Sequence, residues 1–294
     1  MTFNDDSNIS RGRVSRRAKG GIAVGGGVGV VGIIALVVAL LGGPDLTGLT
    51  GLIEGGSQGG TTNEQSDSLD QCDTGADANT DMDCRMKGAA AFLDDYWADA
   101  FESGYVSTQI ELFTGQVSTA CGTASSAVGP FYCPGDQTIF IDTSFFDELR
   151  ERFGSSGGPS AQLYVVAHEW GHHVQNLTGQ MNGIDNSETG PASDGVRLEL
   201  QADCYAGAAL GAAERTTDEN GVSYLQPLTD AQWADALSAA AAVGDDHIQE
   251  QMQGQVSPET WTHGSSEQRQ HWFIAGRDSG FTVCDTFSIA ASEL

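Results

Sequence analysis

Residues 160–179 read SAQLYVVAHEWGHHVQNLTG, and this stretch decides how the rest of the chain is interpreted. Ser160 can cap the start of a helix, because its side-chain oxygen can accept a hydrogen bond from a free backbone amide of the first turn. Apolar residues then recur every three or four positions, which is the spacing of one helix face. The sequence therefore predicts an amphipathic helix packed on a core. Its apolar face consists of Leu163, Val166, Ala167, Trp170, Val174 and Leu177.

The polar residues of this helix have the spacing of a metal site. His168 and His172 are four residues apart, so both imidazoles project from one side and can bind one ion. Glu169 lies between them, placed to touch a metal-bound water rather than the metal. The alternative is a helix that merely presents two histidines. We favour the metal site, because this motif arises by chance in only about one in a hundred such sequences.

A third protein ligand would leave one coordination position open for catalysis. The best candidate lies in DGVRLELQADCYAG, residues 194–207, where Asp194 can cap a second helix. Glu199 and Asp203 are four residues apart on this helix. Glu199 can reach the metal, while Asp203 can accept the outward N–H of a ligand histidine and fix its tautomer. The alternative is that both are solvated acids on an amphipathic helix.

The remaining histidines have weaker signals. His263, in the sequence THGSS, is the candidate for a second hydrogen-bond donor to the oxyanion of peptide hydrolysis. A structural loop histidine is an equally good interpretation of His263. His173 points away from the metal face and is interpreted as a structural residue or a support for the ligands. His247 and His271 receive no role.

The rest of the chain predicts an α+β fold. Strand-like segments cover Gln109–Phe113 and Thr138–Asp142, and the chain is mostly helical after Pro159. Capping boxes at Thr229-x-x-Gln232 and Ser265-x-x-Gln268 predict the starts of two later helices. The adjacent residues Asp245 and Asp246 are interpreted as a solvated turn, with a calcium site as the alternative.

The N-terminal region predicts a membrane anchor. Residues 20–42 carry no charge, and about 20 apolar residues suffice to span a bilayer. Five of the 13 Lys and Arg residues precede this run, which predicts a cytoplasmic N-terminus. A cleavable signal peptide is the alternative, but its apolar region would be shorter and would end in a small-residue cleavage site. We expect a basic tail (1–19), a transmembrane helix (20–42), a flexible Gly/Ser/Asp-rich stalk (43–84) and an extracytoplasmic catalytic domain (85–294).

Cysteine usage and charge limit the compartment and the partners. All six cysteines follow the apolar run, and an even number is typical of disulfides in an oxidising compartment. We expect Cys121 to pair with Cys133 and Cys72 with Cys84 across short loops, which leaves Cys204 for Cys284. The net charge of −27 repels phosphate backbones, so nucleic acid is excluded as a partner.

Four blocks of the sequence resemble the bacterial putative neutral zinc metallopeptidase family. They are AHEWGHHVQNLTG, RLELQADCYAG, ACGTASSAVGPFYCPGDQTIFIDTSFFDEL and THGSSEQRQHWF, and the order of HExxH and ExxxD is similar to that of gluzincins. The resemblance extends to a basic N-terminus, a glycine-rich span and a stalk. It implies a Zn²⁺ cofactor and a zincin-like fold, with a small sheet over the active-site helix and a helical lower half.

These patterns together predict a membrane-anchored, extracytoplasmic zinc metalloendopeptidase of the bacterial cell membrane. It would hydrolyse a protein or peptide substrate through a zinc-activated water, with Glu169 as general base and His263 as second catalytic residue. The alternative is a zinc-binding but catalytically silent envelope scaffold or adhesion module, which would not need Glu169. An intramembrane protease is excluded, because the motif lies far beyond the apolar run.

Overall fold

The computed structural model describes residues 2–17, 31–32, 66–185 and 187–294. Within these residues, the strands are β1 (Val14–Arg17), β2 (Val31–Gly32), β3 (Ser66–Ser68), β4 (Gln109–Phe113), β5 (Gln116–Thr119), β6 (Gly122–Ser125), β7 (Phe131–Cys133) and β8 (Thr138–Asp142). The α-helices are α1 (Gly75–Thr80), α2 (Met82–Ala100), α3 (Phe145–Glu151), α4 (Pro159–Leu177), α5 (Asp194–Ala212), α6 (Asp230–Ala242), α7 (Asp245–Gln253) and α8 (Ser266–Ser279). Short 3₁₀ turns occupy Ser126–Val128, Pro258–Thr260, Phe281–Val283 and Ala291–Glu293.

Six of these strands form one mixed sheet in the order β2-β7-β8-β4-β1-β3. The central strand β4 runs parallel to both neighbours, with Ile110 opposite Val14 of β1 and Ile139 of β8. The outer pairs are antiparallel. Strands β5 and β6 form a separate hairpin. The two strands predicted from the sequence, β4 and β8, thus lie side by side in the sheet, and the α+β expectation is confirmed.

Helix α4 is the centre of the domain. It packs against the sheet through β7 and β8, and against α2, α5 and α6 on its other sides. Its residues 160–175 are all buried. A helix in this position needs apolar residues on more than one face, which explains why the predicted apolar stripe extends through Tyr164 and Val165 in the observed core.

The N-terminal residues 2–17 belong to the same core. The side chain of Phe3 is 0% exposed, and its backbone amide donates to Asn79 Oδ1 at 2.9 Å. Ile9 is also fully buried. Further along, β1 extends the sheet beside β4, and Arg16 forms an ion pair with Asp83 of α2.

The predicted single N-terminal transmembrane helix is therefore wrong, as is the single-pass membrane localisation. One span between residues 1–19 and residues 85–294 would place them on opposite sides of a bilayer, yet residues 2–17 pack directly on that domain. Apart from 31–32, the predicted span lies outside the described residues. None of the helices described has both the length and the apolar character needed to cross a membrane. The described part of the expected stalk, 66–84, forms β3, α1 and the first residues of α2.

Two predicted helix caps are wrong, because Gly158 rather than Ser160 precedes α4 and Ser193 rather than Asp194 caps α5. The predicted capping boxes and disulfides are confirmed. Thr229 and Ser265 cap α6 and α8, and each forms the full capping box with the glutamine three residues later. The three disulfides pair Cys72 with Cys84, Cys121 with Cys133 and Cys204 with Cys284, as expected.

Because Phe3 fills a site in the main core, we expect Phe3→Ala to lower the free energy of unfolding by about 3–5 kcal/mol. Urea unfolding of the full chain measures the change. Val283→Ala serves as the control, since Val283 is 41% exposed and its truncation should change stability by less than about 0.5 kcal/mol. Equal stabilities for Phe3→Ala and the parent chain would contradict the packing of the N-terminal residues.

Candidate metal centre

Two helices meet closely at the site. Gly171 lies between the two histidines of the motif on α4 and faces Ala202 of α5. A Cβ at position 171 would lie 3.0 Å from both Cα and O of Ala202, which is tighter than ordinary contact. Glycine at this position therefore lets the two helices approach, and the approach brings His168 and His172 to Glu199.

Three side chains converge at this contact. His168 Nε2 lies 3.2 Å from Glu199 Oε2, and His172 Nε2 lies 3.4 Å from Glu199 Oε1. All three residues are buried, and both Nε2 atoms and Glu199 Oε2 lack a hydrogen-bond partner of acceptable geometry. Buried polar atoms are rarely left without a partner, so these three indicate a bound group.

The spacing and chemistry of these atoms fit zinc. Two ligand atoms that each lie about 2.0–2.1 Å from a tetrahedral ion are about 3.3 Å apart, close to both observed separations. Two histidines and one glutamate form a ligand set typical of catalytic zinc sites. Among the described residues, the donor atoms of His168, His172 and Glu199 lie within 4.8 Å of one another. A second such cluster contains Cys72 and Cys84, but their disulfide removes the thiolates.

The outward nitrogens of both histidines have acceptors that fix the rings. His168 Nδ1–H donates to Asp203 Oδ1 at 2.8 Å, and His172 Nδ1–H donates to Gln175 Oε1 at 2.8 Å. The amide nitrogen of Gln175 donates to the Leu198 carbonyl at 2.7 Å, which keeps its oxygen turned toward His172. With both Nδ1 atoms protonated, both Nε2 atoms present a lone pair to the same point.

Asp203 is held in turn by two donors besides His168. Arg269 of α8 donates from Nε to Oδ2 at 2.7 Å and from Nη2 to Oδ1 at 3.1 Å. The Tyr164 hydroxyl donates to Oδ1 at 2.5 Å. Burial alone would raise the pKa of Asp203, but the positive charge of Arg269 and the hydrogen bonds from His168 and Arg269 outweigh burial and lower it. Asp203 therefore carries a stable negative charge behind His168.

Glu169 directly follows the ligand His168 on α4 and is not a member of the cluster of three metal-ligand atoms. It is fully buried, and neither carboxylate oxygen has a side-chain hydrogen-bond partner, although the backbone amide of Tyr132 on β7 favours its ionised form. Burial foremost, and the charge of Glu199 in addition, raise the pKa of Glu169 to about 8 against the opposing effect of His172. A carboxylate of this kind next to a metal site can take up and release a proton.

His263 is placed by Asp245, at the start of α7. Asp245 Oδ2 accepts from the backbone amides of Thr262 (2.7 Å), His263 (2.7 Å) and Gly264 (3.1 Å), and Oδ1 lies 3.2 Å from His263 Nδ1. The interpretation of Asp245 as a solvated turn residue is wrong, because it is 4% exposed and organises this loop. Burial lowers the pKa of His263, but Asp245 outweighs it and Glu199 adds to the effect, so the pKa rises to about 9.

Sequence reasoning missed four supporting residues: Tyr164, Gln175, Asp245 and Arg269. Tyr164 lies four positions before His168 and Gln175 three positions after His172, so both share the metal face of α4. Arg269 precedes Trp272 and Phe273 at helical spacing, and a cation on an apolar face is a signal that could have been used. His173 instead contacts Val106 O and the Tyr132 hydroxyl, outside the metal cluster.

Helices α4 and α5 bring two histidines and a glutamate to one point, and the motif supplies a second glutamate. This arrangement defines the class of HExxH metallopeptidases. The model of the family described as "Putative neutral zinc metallopeptidase" matches residues 3–287, and the chain belongs to this family. The resemblance seen in the sequence is thus confirmed.

Two bacterial relatives extend this finding. The chain is 54% identical over 224 residues to "Uncharacterized protein Rv2575" of Mycobacterium tuberculosis, with 76% of each chain covered. It is 37% identical over 287 residues to "Uncharacterized protein YpfJ" of Escherichia coli, covering 92% of this chain and 93% of the relative. No solved structure matches the chain.

If the three converging residues form one site, we expect Glu199→Ala to lose Zn²⁺ as severely as His168→Ala. Gln175→Leu should lower Zn²⁺ affinity only about 10–100-fold, because Gln175 orients His172 without being a ligand. Competition with a chromophoric chelator measures all three affinities. His247→Ala is the control, since His247 forms its hydrogen bond with the Phe153 carbonyl oxygen, outside the metal cluster. Full Zn²⁺ affinity in Glu199→Ala would contradict the ligand set.

Proposed function

We propose that this protein is a zinc-dependent endopeptidase acting on protein or peptide substrates, with His168, His172 and Glu199 as zinc ligands. One observation carries the proposal: three buried donor atoms without partners converge beside Glu169, a buried carboxylate that can accept and release a proton. A zinc site used only for structure would close its fourth position with a protein ligand and would not need Glu169.

In the proposed reaction, the bound zinc supplies a Lewis acid that polarises the scissile carbonyl and lowers the pKa of water toward about 7. Glu169 accepts the proton of the attacking water at a carboxylate oxygen and returns it to the nitrogen of the leaving amine. Asp203 accepts the outward N–H of His168, and Gln175 accepts that of His172. Both rings therefore keep one orientation during the reaction.

His263 is proposed as the second donor to the oxyanion of the tetrahedral intermediate. Asp245 anchors both its backbone amide and its Nδ1, which fixes the ring, and Nε2 is the nitrogen proposed to donate to the substrate. Asp245 and, to a smaller extent, Glu199 raise the pKa of His263 to about 9, so this nitrogen carries a proton at neutral pH. A donor fixed before the reaction stabilises the developing charge without having to reorganise.

The mechanism predicts that Glu169→Gln separates catalysis from metal binding. The variant should keep one Zn²⁺ per chain and its fold, while kcat for hydrolysis of a mixed peptide library falls about 10²–10⁴-fold, since it loses the base and no ligand. Mass spectrometry gives the metal content and product analysis gives turnover. Glu250→Gln on the exposed end of α7 is the matched control. Zinc-dependent turnover that survives Glu169→Gln would refute this role for Glu169. A zinc-loaded parent chain that cleaves nothing would favour the scaffold instead.

For the oxyanion donor, we expect His263→Gln to lower kcat about 10²–10³-fold with little change in KM or zinc content. Asp245→Asn should give a smaller loss of kcat, because the backbone amides of residues 262–264 keep an acceptor while the charge that supports His263 is removed. Steady-state kinetics on zinc-saturated samples measures both. An unchanged kcat in His263→Gln would leave His263 with a structural role only.

A further inference from the structure

Arg269 lies on α8, and its guanidinium reaches the metal centre. It is 0% exposed, and an arginine is rarely buried without a charged partner. Its Nε and Nη2 donate to the two oxygens of Asp203, and its Nη1 donates to the Val243 carbonyl at 3.2 Å. Nη2 also donates to the Tyr164 hydroxyl at 3.2 Å and lies 3.7 Å from Glu199 Oε2.

We propose that Arg269 is a positioning residue of the metal centre, which holds Asp203 against His168 and balances the two carboxylates of α5. The proposal rests on the proposed function, since it assigns Arg269 to the same site. Arg269 does not contact the Nε2 atoms of the ligand histidines, which face the metal. Its contact with His168 is to the outward nitrogen Nδ1, at 3.3 Å. It therefore acts through Asp203 rather than on the substrate.

The charges of the site require such a residue. Glu169, Glu199 and Asp203 are buried together, with a formal charge of −3 when all are ionised. A divalent cation brings this to −1, and the guanidinium of Arg269 brings it to zero. Removing one partner of a buried ion pair leaves an unpaired charge in a medium that solvates it poorly, which is costly. Arg269 thus makes it possible for α5 to carry two carboxylates four residues apart inside the core.

Arginine fits this position in geometry as well as in charge. Two of its nitrogens face the two oxygens of one carboxylate, and the other contacts are made by the same planar guanidinium. A lysine ammonium could supply the charge but not this fork. The orientation of the Asp203 carboxylate, and through it the His168 ring, is therefore fixed by the fork.

Arg269 also connects the residues around the zinc ligands with the loop that carries His263. Helix α8 packs tightly on α5, because Gly276 leaves room: a Cβ there would lie 1.9 Å from the Cys204 carbonyl oxygen. Arg269 donates to the carbonyl of Val243, and Asp245, two residues further along, holds His263. The turn at 243–245 therefore contacts Arg269 of α8 through Val243 and the His263 loop through Asp245.

The test uses Co²⁺ added to the metal-free full chain, because its visible absorption reports ligand geometry without requiring activity. We expect Arg269→Met and Asp203→Asn each to lower Co²⁺ affinity about 10–100-fold. The double variant should be no weaker than the weaker single variant, since both changes remove the same support. Arg277→Met, on the same helix but partly exposed, should bind Co²⁺ like the parent chain.

If Arg269→Met does not fold, the variant Arg269→Lys tests the proposal instead. We expect it to fold, to bind Co²⁺ more weakly than the parent chain and to shift the Co²⁺ absorption bands at saturation, because charge is kept and the fork is lost. Unchanged affinity and bands in Arg269→Lys, or strictly additive losses in the double variant, would overturn the proposal. Failure of the parent chain to hydrolyse peptides would refute the proposed function but leave these metal-binding results intact.

Discussion

The site depends on the close contact of α4 with α5. Glycine at position 171 lets the backbones approach until the histidine nitrogens of one helix lie 3.2–3.4 Å from the glutamate oxygens of the other. Any larger residue at this position would separate the helices by a few tenths of an ångström or more, a shift that matters when ligand atoms must sit about 2 Å from one ion. The ligand set is thus a consequence of helix packing as much as of the motif.

This contact has an electrostatic consequence. Bringing α5 against α4 buries Glu199 and Asp203 beside Glu169, and the dry core cannot solvate three carboxylates. One cation from α8 offsets part of this charge, because the guanidinium of Arg269 lies against Asp203. Packing, charge and ligand orientation are therefore linked: the helix contact that forms the ligand set also buries the carboxylates whose charge Arg269 of α8 offsets.

The sequence predicts the parts of this arrangement that are local. His168, Glu169 and His172 follow from helix periodicity, and so does the pair Glu199 and Asp203, because residues four apart share a helix face. The capping boxes of α6 and α8 are equally local. Arg269 and Asp245 were missed because their partners are distant in sequence: Arg269 meets Asp203 66 residues away, and Asp245 meets His263 18 residues away. No spacing rule relates such positions.

The error at the N-terminus has the same origin. Hydropathy describes a segment by itself, and an uncharged run behind a basic cluster is typical of a membrane anchor whatever its flanks contact. The basic cluster instead has partners within the domain: Arg16 pairs with Asp83, and Arg17 with Glu111 on the neighbouring strand β4. These positive charges offset part of a strongly acidic chain, so their position is explained by the fold. The family match, which begins at residue 3, is consistent with a domain that includes this segment from the start.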